Sequence, residues 1–317
     1  MTVGKVADAL LDMHVIVQSK ETKNSAGRRA GMLGIAPDNY AVILDLTSRN
    51  FSMAIINVRL DIMERYHYTY NDDFYFEENL ILYLKEIGVF LKRNLDPAHC
   101  IGFGVSVPGP YDPETDRTFS TRIPELNTIP IAGTIRTHLT EAPLYIEAGY
   151  NAAATSNIAR IPNHTDKVIL YWFVGDNTIY GTLVYHGQII RGAHNTAGNF
   201  GHMITTGGKA LESVLRPTAP LSDNAFELAR ALHNVMMVVD PDCIILECEL
   251  YKNIDGSDAF VPLVRRTLLE HFDIPEKKMP EFVSAGCKFR HSHRGLTIAL
   301  REMWLCRLVF AADGERS

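Results

Sequence analysis

Twice along the chain, a hairpin of apolar strands is followed by alternating helices and strands. The first stretch, "YAVILDLTSRNFSMAIINVRLDIMERYHYTY", predicts three strands with a turn near Arg59, and the second is "KVILYWFVGDNTIYGTLVYHGQII". Apolar residues at helical spacing predict helices at 77–95, 130–140, 222–239, 258–271 and 289–306. Strands that alternate with helices indicate an α/β architecture, and the repeated plan suits a duplicated fold whose two lobes enclose a ligand cleft.

Composition excludes several classes of protein. The net charge of -6 argues against nucleic-acid binding by the chain as a whole, so such a role would need a local basic patch. There is no run of 18 apolar residues and no signal-peptide pattern, which predicts a cytoplasmic protein without a membrane partner. The 5 cysteines are scattered without metal-binding spacing, which predicts reduced core thiols.

The first 36 residues differ in character from the rest of the chain. "MTVGKVADALLDMHVIVQ" predicts an amphipathic helix with an apolar exit, and the polar stretch that follows carries Lys20, Lys23, Arg28 and Arg29. Helix, short strand, basic tip and strand form the second half of a winged helix, in which the helix enters the major groove and the tip meets phosphate. The same residues also fit a plain N-terminal helix followed by a solvated loop.

Four segments, in order along the chain, resemble the motifs of a known family. They are "GVSVPGPYDPETD", "PLYIEAGYNAAA", "YHGQIIRGAHNTAGNFGHM" and "VVDPDCIIL". Together they are similar to the ROK family of repressors and sugar kinases over nearly the whole chain. The resemblance implies an α/β, two-lobed actin-like ATPase (ribonuclease H-like) fold preceded by a partial winged helix-turn-helix. It implies domains at 1–36 (recognition helix and wing), 37–143 (N-terminal lobe) and 144–317 (C-terminal lobe).

The resemblance extends to the DNA-binding part of the family's repressors. "TVGKVADALLDMHVI" looks like their third, groove-binding helix, which makes Thr2 and Lys5 the groove-side residues and Arg28 and Arg29 the residues of the wing. A winged helix needs about three helices before its wing. We therefore expect roughly forty residues of the motif to be missing upstream, and operator DNA to be a partner only when the winged helix is completed there.

The residues that resemble the family's kinase motifs lack the catalytic base. ROK kinases take the proton from the sugar hydroxyl with the aspartate of "E-N-D-A-N", and the matching positions here are Ala148 and Gly149. Glycine carries no proton acceptor, and general-base catalysis contributes about 10²–10⁴-fold.

Both phosphate-binding turns are also altered. In the first, Asp45 remains but Thr47, Ser48 and Arg49 replace the family's Gly-Gly-Thr, whose glycines let backbone N–H groups approach phosphate. The second reads "GDNTI", which places Asp176 beside the expected phosphates. The sequence therefore predicts a catalytically inactive protein without a nucleotide cofactor.

The family's zinc site is reduced to one ligand. His202 matches the Gly-His histidine, but Ala210 stands where the last cysteine of the zinc cluster would lie. One nitrogen ligand without thiolates does not make a closed structural site, so no metal is predicted.

Sugar recognition is altered at the same time. The positions that read sugar hydroxyls in the family match Arg122, Ala148, Gly149, Asn199 and His202. Asn199 and His202 can still hydrogen-bond a hydroxyl, and Arg122 suits an anionic group such as a phosphate. We therefore predict these three as ligand-binding residues. The alternative is that His202 is a packed or capping histidine and Arg122 an ordinary surface residue.

The sequence thus predicts a ROK-type transcriptional regulator, catalytically inactive and homodimeric, that senses a sugar or sugar phosphate. Two alternatives remain: a sugar kinase with an atypical active site, and a ligand-sensing module that does not contact DNA.

Overall fold

The computed structural model describes most of the chain in five stretches. These are residues 3–19, 32–251, 259–272, 274–285 and 291–314. The protein divides into two compact units: the first runs to Glu147 and resumes at Leu296, and the second is Ala148–Gly295. In the described part of the chain, no helix is long and apolar enough to cross a bilayer.

The chain begins with a helix and a small antiparallel sheet. Helix α1 is Val3–Asp12, and strands β1 (Ile16–Ser19) and β2 (Met32–Ile35) pair antiparallel. Lys5 lies in α1, whereas Thr2, Arg28 and Arg29 lie outside the described residues. The order helix, strand, strand is the one expected for the second half of a winged helix, and the winged helix itself stays a prediction.

The rest of the first unit is built on a five-stranded sheet. Its elements, in chain order, are β3 (Tyr40–Asp45), β4 (Ser52–Asn57), β5 (Ile62–His67), α2 (Phe76–Asn94), β6 (Cys100–Val107), β7 (Tyr111–Asp112), β8 (Arg117–Thr118), α3 (Ile131–His138) and β9 (Leu144–Ala148). The strand order is β5-β4-β3-β6-β9, with β3 antiparallel to β4 and parallel to β6. Helix α2 buries one face on this sheet, and the backbone N–H of Tyr75 donates to Glu78 at its start.

The second unit repeats the plan. Its elements are α4 (Gly149–Ile158), β10 (Val168–Gly175), β11 (Thr178–Tyr185), β12 (Gln188–Ile190), α5 (Leu211–Val214), α6 (Leu221–Val239), β13 (Cys243–Cys248), α7 (Phe260–His271), β14 (Glu281–Ala285) and the start of α8 (His291–Gly314). The sheet order is β12-β11-β10-β13-β14, with β10 antiparallel to β11 and parallel to β13. Counted along the chain, both sheets have the order third, second, first, fourth, fifth. The expected α/β fold with two repeated halves is confirmed.

The last helix departs from the domain limits expected from the sequence. Residues 144–317 were expected to form one lobe, but the chain belongs to the first unit again from Leu296. Two glycines of β6 allow this packing. A Cβ at Gly104 would lie 2.9 Å from Leu296 Cβ, and one at Gly102 would lie 3.0 Å from Leu300 Cδ2. The helix therefore covers β6 because that strand carries no side chain at these two points.

Candidate functional site

Strand β11 positions the segments that the sequence singled out in the second unit. Successive side chains of a strand point to opposite faces of its sheet. Tyr180 and Thr182 therefore share one face of β11, and Ile179 and Gly181 share the other. Each face contacts a different motif.

The start of α4 lies on the first face. Thr182 Oγ1 donates a buried hydrogen bond of 2.8 Å to Asn151 Oδ1, and the Tyr150 ring stacks on Tyr180 with centroids 4.6 Å apart. Gly149 is the first residue of α4, directly after the buried Ala148. The position that carries the base in the kinase motif is therefore held firmly in place, but it has no side chain.

The segment 198–202 lies on the second face and depends on its glycines. Gly181 N donates to Gly198 O at 2.7 Å, and a Cβ at Gly198 would lie 1.9 Å from Gly181 O. A Cβ at Gly201 would lie 2.7 Å from Ile179 O. Phe200 lies between Gly198 and Gly201 in the sequence, and its ring packs on Gly181. The glycines of "AGNFGH" thus serve close packing of the backbone in this protein.

Three polar residues lie at or next to the end of this segment, and the side chains of two of them, His202 and Glu212, are in contact. Asn199 precedes a single 3₁₀ turn, Phe200–His202, in which His202 N donates to Asn199 O at 3.2 Å. His202 Nε2 lies 3.6 Å from Glu212 Oε1, which belongs to α5. We call Asn199, His202 and Glu212 the polar cluster. The side chain of His202 is 62% exposed, so it is not a packed histidine, and its role in ligand binding stays a prediction.

Glu212 was not predicted as a site residue. It belongs to "KALE", a segment that sequence reasoning considered only for its missing cysteine. Its contact with His202 joins α5 to the turn before it, and only the tertiary structure brings the two together.

The segment that would hold zinc is closed on itself. Ile204 pairs with Ala210 as an antiparallel bridge, and Thr205 N donates to Lys209 O at 2.8 Å. Among the residues that the structure describes, no group of three or more His, Cys, Asp or Glu side chains could hold a metal ion.

In the first altered phosphate turn, a backbone amide donates its hydrogen bond to a side chain of the turn itself. Asp45 Oδ1 accepts hydrogen bonds from Thr47 N at 2.9 Å and from Thr47 Oγ1 at 2.6 Å. Arg49 forms an ion pair with Glu125 within the same unit. The N–H of Thr47, at a position where the resemblance implies a phosphate-binding glycine, is therefore bonded inside the protein.

The second altered turn is a tight hairpin. Gly175 pairs with Thr178 across the end of β10 and β11, which leaves Asp176 and Asn177 as the two turn residues. Asn177 has φ of 53°, a conformation that asparagine tolerates, and its amide donates to Asp176 Oδ1 at 3.1 Å. Instead of an open cradle of N–H groups, the turn presents a carboxylate.

Arg122 lies in the first unit, on an exposed loop. Its backbone N–H donates to Ser120 Oγ at 3.2 Å. The backbone N–H of Ser120 donates to Asn127 Oδ1 at 2.8 Å, and Asn127 Nδ2 donates to Ser120 O at 3.0 Å. Hydrogen bonds thus fix the base of the loop, while Arg122 is exposed.

Comparisons with known proteins agree with the fold. The model of the ROK family matches residues 42–212. A ROK family transcriptional regulator, described as a homologue of the E. coli MLC protein, aligns at 14% identity and TM-score 0.73, covering 96% of this chain and 89% of its own. No curated protein matches the chain.

Sugar kinases predominate among the similar structures. The ROK glucokinase of Streptomyces griseus, solved with glucose and AMPPNP, aligns at 14% identity and TM-score 0.61, covering 83% of this chain and 100% of its own. The ROK hexokinase of Thermus thermophilus aligns at 17% identity and TM-score 0.62, covering 82% of this chain and 97% of its own. At these identities the likeness establishes the fold alone.

Proposed function

The chain belongs to the ROK family, and from this we propose that it is a cytoplasmic, homodimeric transcriptional regulator that does not phosphorylate sugars. In this proposal the second unit senses a sugar or a sugar-derived ligand, and the N-terminal segment contributes to DNA binding.

The observation that carries the proposal is the extent of the structural match. The regulator structure aligns with 96% of this chain, whereas the two kinases above align with 83% and 82%. The difference is comparable in size to the segment that precedes β3, which holds α1 and the β1–β2 hairpin. A helix and hairpin in front of the first sheet suit a regulator and have no role in phosphoryl transfer.

The chemistry of residues in both units supports the absence of kinase activity. Phosphoryl transfer requires groups that position the nucleophile and stabilise the charge of the phosphates. Gly149 offers no base, the amide of Thr47 is bonded to Asp45, and Asp176 adds a negative charge where phosphates would bind. These three changes act on different parts of the reaction, so no single substitution compensates for them.

The competing function is a ROK sugar kinase with an atypical site, which the predominance of kinases among the similar structures favours. Phosphorylation of a hexose panel with ATP and Mg²⁺ separates the two. We expect no turnover above the background of a heat-inactivated sample. Turnover that Asp45→Ala abolishes would establish the kinase instead.

DNA binding is tested with the chain as it stands and with a version extended upstream in frame. We expect the extended version to retard the intergenic DNA before the gene, with strong salt dependence because phosphate contacts release counterions. Arg28→Ala with Arg29→Ala should weaken binding uniformly across sequences, whereas Thr2 and Lys5 should affect sequence preference. If the extension changes nothing, a ligand-sensing module without DNA contact becomes the better description.

The polar cluster is the proposed sensing site in the second unit. An amide, an imidazole and a carboxylate supply both donors and acceptors for sugar hydroxyls. Arg122, in the first unit, is proposed separately as a contact for an anionic group, since its guanidinium matches phosphate and carboxylate geometry. Calorimetry with hexoses tests the polar cluster, and His202→Ala should weaken their binding. Calorimetry with hexose phosphates tests Arg122, and Arg122→Gln should weaken their binding.

A further inference from the structure

The first unit contains a cavity that the proposed function does not use. It has a volume of about 300 Å³ and lies between α2, α3 and the strands β3 and β6. Its walls are mainly apolar, formed by Val42, Leu91, Leu95, Pro97, Phe103, Leu139 and Ala142. Such a volume is at the lower end of the range for small-molecule sites, which are typically apolar with a few polar groups.

A glycine inside α2 keeps this cavity open. Gly88 lies in the fourth turn of the helix and lines the cavity. Glycine destabilises a helix interior relative to alanine, so its presence there needs a reason. Packing does not supply one: a Cβ at Gly88 would meet only Leu139 Cδ1, at 3.5 Å, which is an ordinary contact. What a side chain at residue 88 would remove is cavity volume.

The polar groups in the walls are uncharged at neutral pH. Burial raises the pKa of the Cys100 thiol to about 11 and that of Tyr40 to about 12. The hydroxyl of Tyr40 donates to the carbonyl of Asp96 at 3.0 Å, so it is satisfied within the protein. The tyrosine and cysteine of the described lining are therefore uncharged; the nearby Asp96, whose charge contributes to the raised pKa of Tyr40, does not line the cavity.

One charged side chain stands at the edge of the cavity. Lys92, in the last turn of α2, is the only charged residue among those that line it in the described part of the chain. Its side chain is exposed, so the ammonium lies where the cavity meets solvent. An apolar interior with a single cation at its mouth selects a ligand with an apolar body and one anionic end.

We propose that this cavity binds a small monocarboxylic acid, with its aliphatic or aromatic body between α2 and α3 and its carboxylate at Lys92. The volume suits a body of about ten heavy atoms, since a water-sized group occupies about 30 Å³ in a liquid. This site is separate from the polar cluster, and its test does not depend on whether the protein is a regulator.

A chain-length series of free fatty acids provides the direct test. Calorimetric titration with butanoate, hexanoate and octanoate should give affinities that rise about fourfold per methylene, because each buried CH₂ contributes about 0.8 kcal/mol. The increase should stop once the cavity is filled. Affinities that do not depend on chain length, or no binding at millimolar concentrations, would overturn the proposal.

Substitutions at two residues test the volume of the cavity and the charge at its edge separately. Gly88→Leu should lower the affinity for octanoate at least about tenfold, because its side chain fills the cavity. The smaller Gly88→Ala should lower the affinity less, and it should not reduce the stability of the protein. Lys92→Gln should weaken octanoate about three- to fivefold, as one exposed ion pair allows, and leave neutral octanamide unchanged. Lys85→Gln, also on α2 but outside the lining, is the matched control. Equal effects of the two lysine variants would contradict the assignment.

Cys100 offers an independent readout, since its thiol lines the cavity while that of Cys306 is exposed elsewhere. Octanoate should slow alkylation of Cys100 by N-ethylmaleimide and leave Cys306 unaffected, as measured by mass spectrometry. Equal protection of both thiols, or of neither, would show that the fatty acid binds elsewhere.

Discussion

The Phe200 ring lies so close over Gly181 that a Cβ on residue 181 would come within 2.0 Å of two ring carbons. The same ring stacks on Trp172, the residue opposite Gly181 in the β10–β11 pair, with centroids 4.5 Å apart. A methyl group on residue 181 would therefore have to displace a ring that is packed against a buried tryptophan. This contact anchors the segment that carries Asn199 and His202 to strand β11.

Gly181→Ala should therefore destabilise the second unit. Overpacking a well-filled site costs about 1–3 kcal/mol, because the ring or the strand must shift. Chemical denaturation measures the loss. Gly207→Ala is the control, since a Cβ there would meet only Thr205 Oγ1, at 3.9 Å. Equal stability of the two variants would contradict this packing.

Thr182→Val should loosen the start of α4. Valine keeps the shape of threonine but cannot donate the 2.8 Å bond to Asn151 Oδ1. Loss of a partner for a buried acceptor costs about 1–3 kcal/mol. Thr182→Ser keeps the hydroxyl, so in denaturant melts it should lose less than valine if the hydrogen bond matters. The reverse ranking would mean that the methyl group dominates.

Asp116→Asn should destabilise α3. The carboxylate of Asp116 accepts from Ala132 N at 2.7 Å, from Gly133 N at 2.9 Å and from the hydroxyl of Tyr111 at 2.9 Å. Asparagine tolerates the φ of 55° found at this position but can accept with only one side-chain atom. We expect a loss of about 1–2 kcal/mol by thermal or chemical melting.

Tyr111→Phe is the matched variant for Asp116→Asn, since it removes one of the three donors and leaves both helix amides bonded. It should cost less than the change at residue 116. A larger loss would place the stabilising effect in the tyrosine instead of the helix cap.

Stability should fall between about pH 10 and pH 12 in part through Tyr40. Burial, with the nearby Cys100 and Asp96, raises its pKa from 10.0 to about 12. The folded state thus keeps a proton that the unfolded chain releases at lower pH, so the contribution is complete below pH 10 and disappears as the pH rises through 12. Tyr40→Phe should flatten the decline of the unfolding free energy over this range. An unchanged slope would assign the decline to other groups.

Gly149→Asp should not produce a sugar kinase. The substitution restores a carboxylate at the first residue of α4, but Thr47 N remains bonded to Asp45 and Asp176 remains in the β10–β11 turn. A base alone contributes about 10²–10⁴-fold and does not hold a nucleotide. Coupled assays with ATP should give the same background as the unmodified protein. Turnover in this variant would mean that the phosphate sites are intact.

Local elements were well predicted because their signals are local. The helix expected at 77–95 is Phe76–Asn94, and the turn near Arg59 joins β4 and β5. Strand alternation and helical periodicity depend only on residues that are close in sequence, so they can be recognised in a single sequence without an alignment. The resemblance of "GVSVPGPYD" and "AGNFGHM" to a known family was equally readable and was confirmed by the family match at 42–212.

Contacts between distant residues were less accessible. The pairing of His202 with Glu212 and the return of α8 to β6 each depend on how separate elements pack. The two glycines of "IGFG" in β6 indicate that another element packs closely on this strand. They do not indicate that this element is α8.

The amino-acid sequence alone determined the duplicated α/β plan, the family, and the absence of a side chain where a kinase carries its base. These depend on residue identity and spacing, which can be taken directly from the sequence. Only the tertiary structure decided that the glycines at 198 and 201 serve packing against β11, that His202 is exposed beside Glu212, and that Gly88 lines a cavity. Each of these depends on distances between residues that are separated in the chain. Those distances are set by the packing of all the elements of a unit.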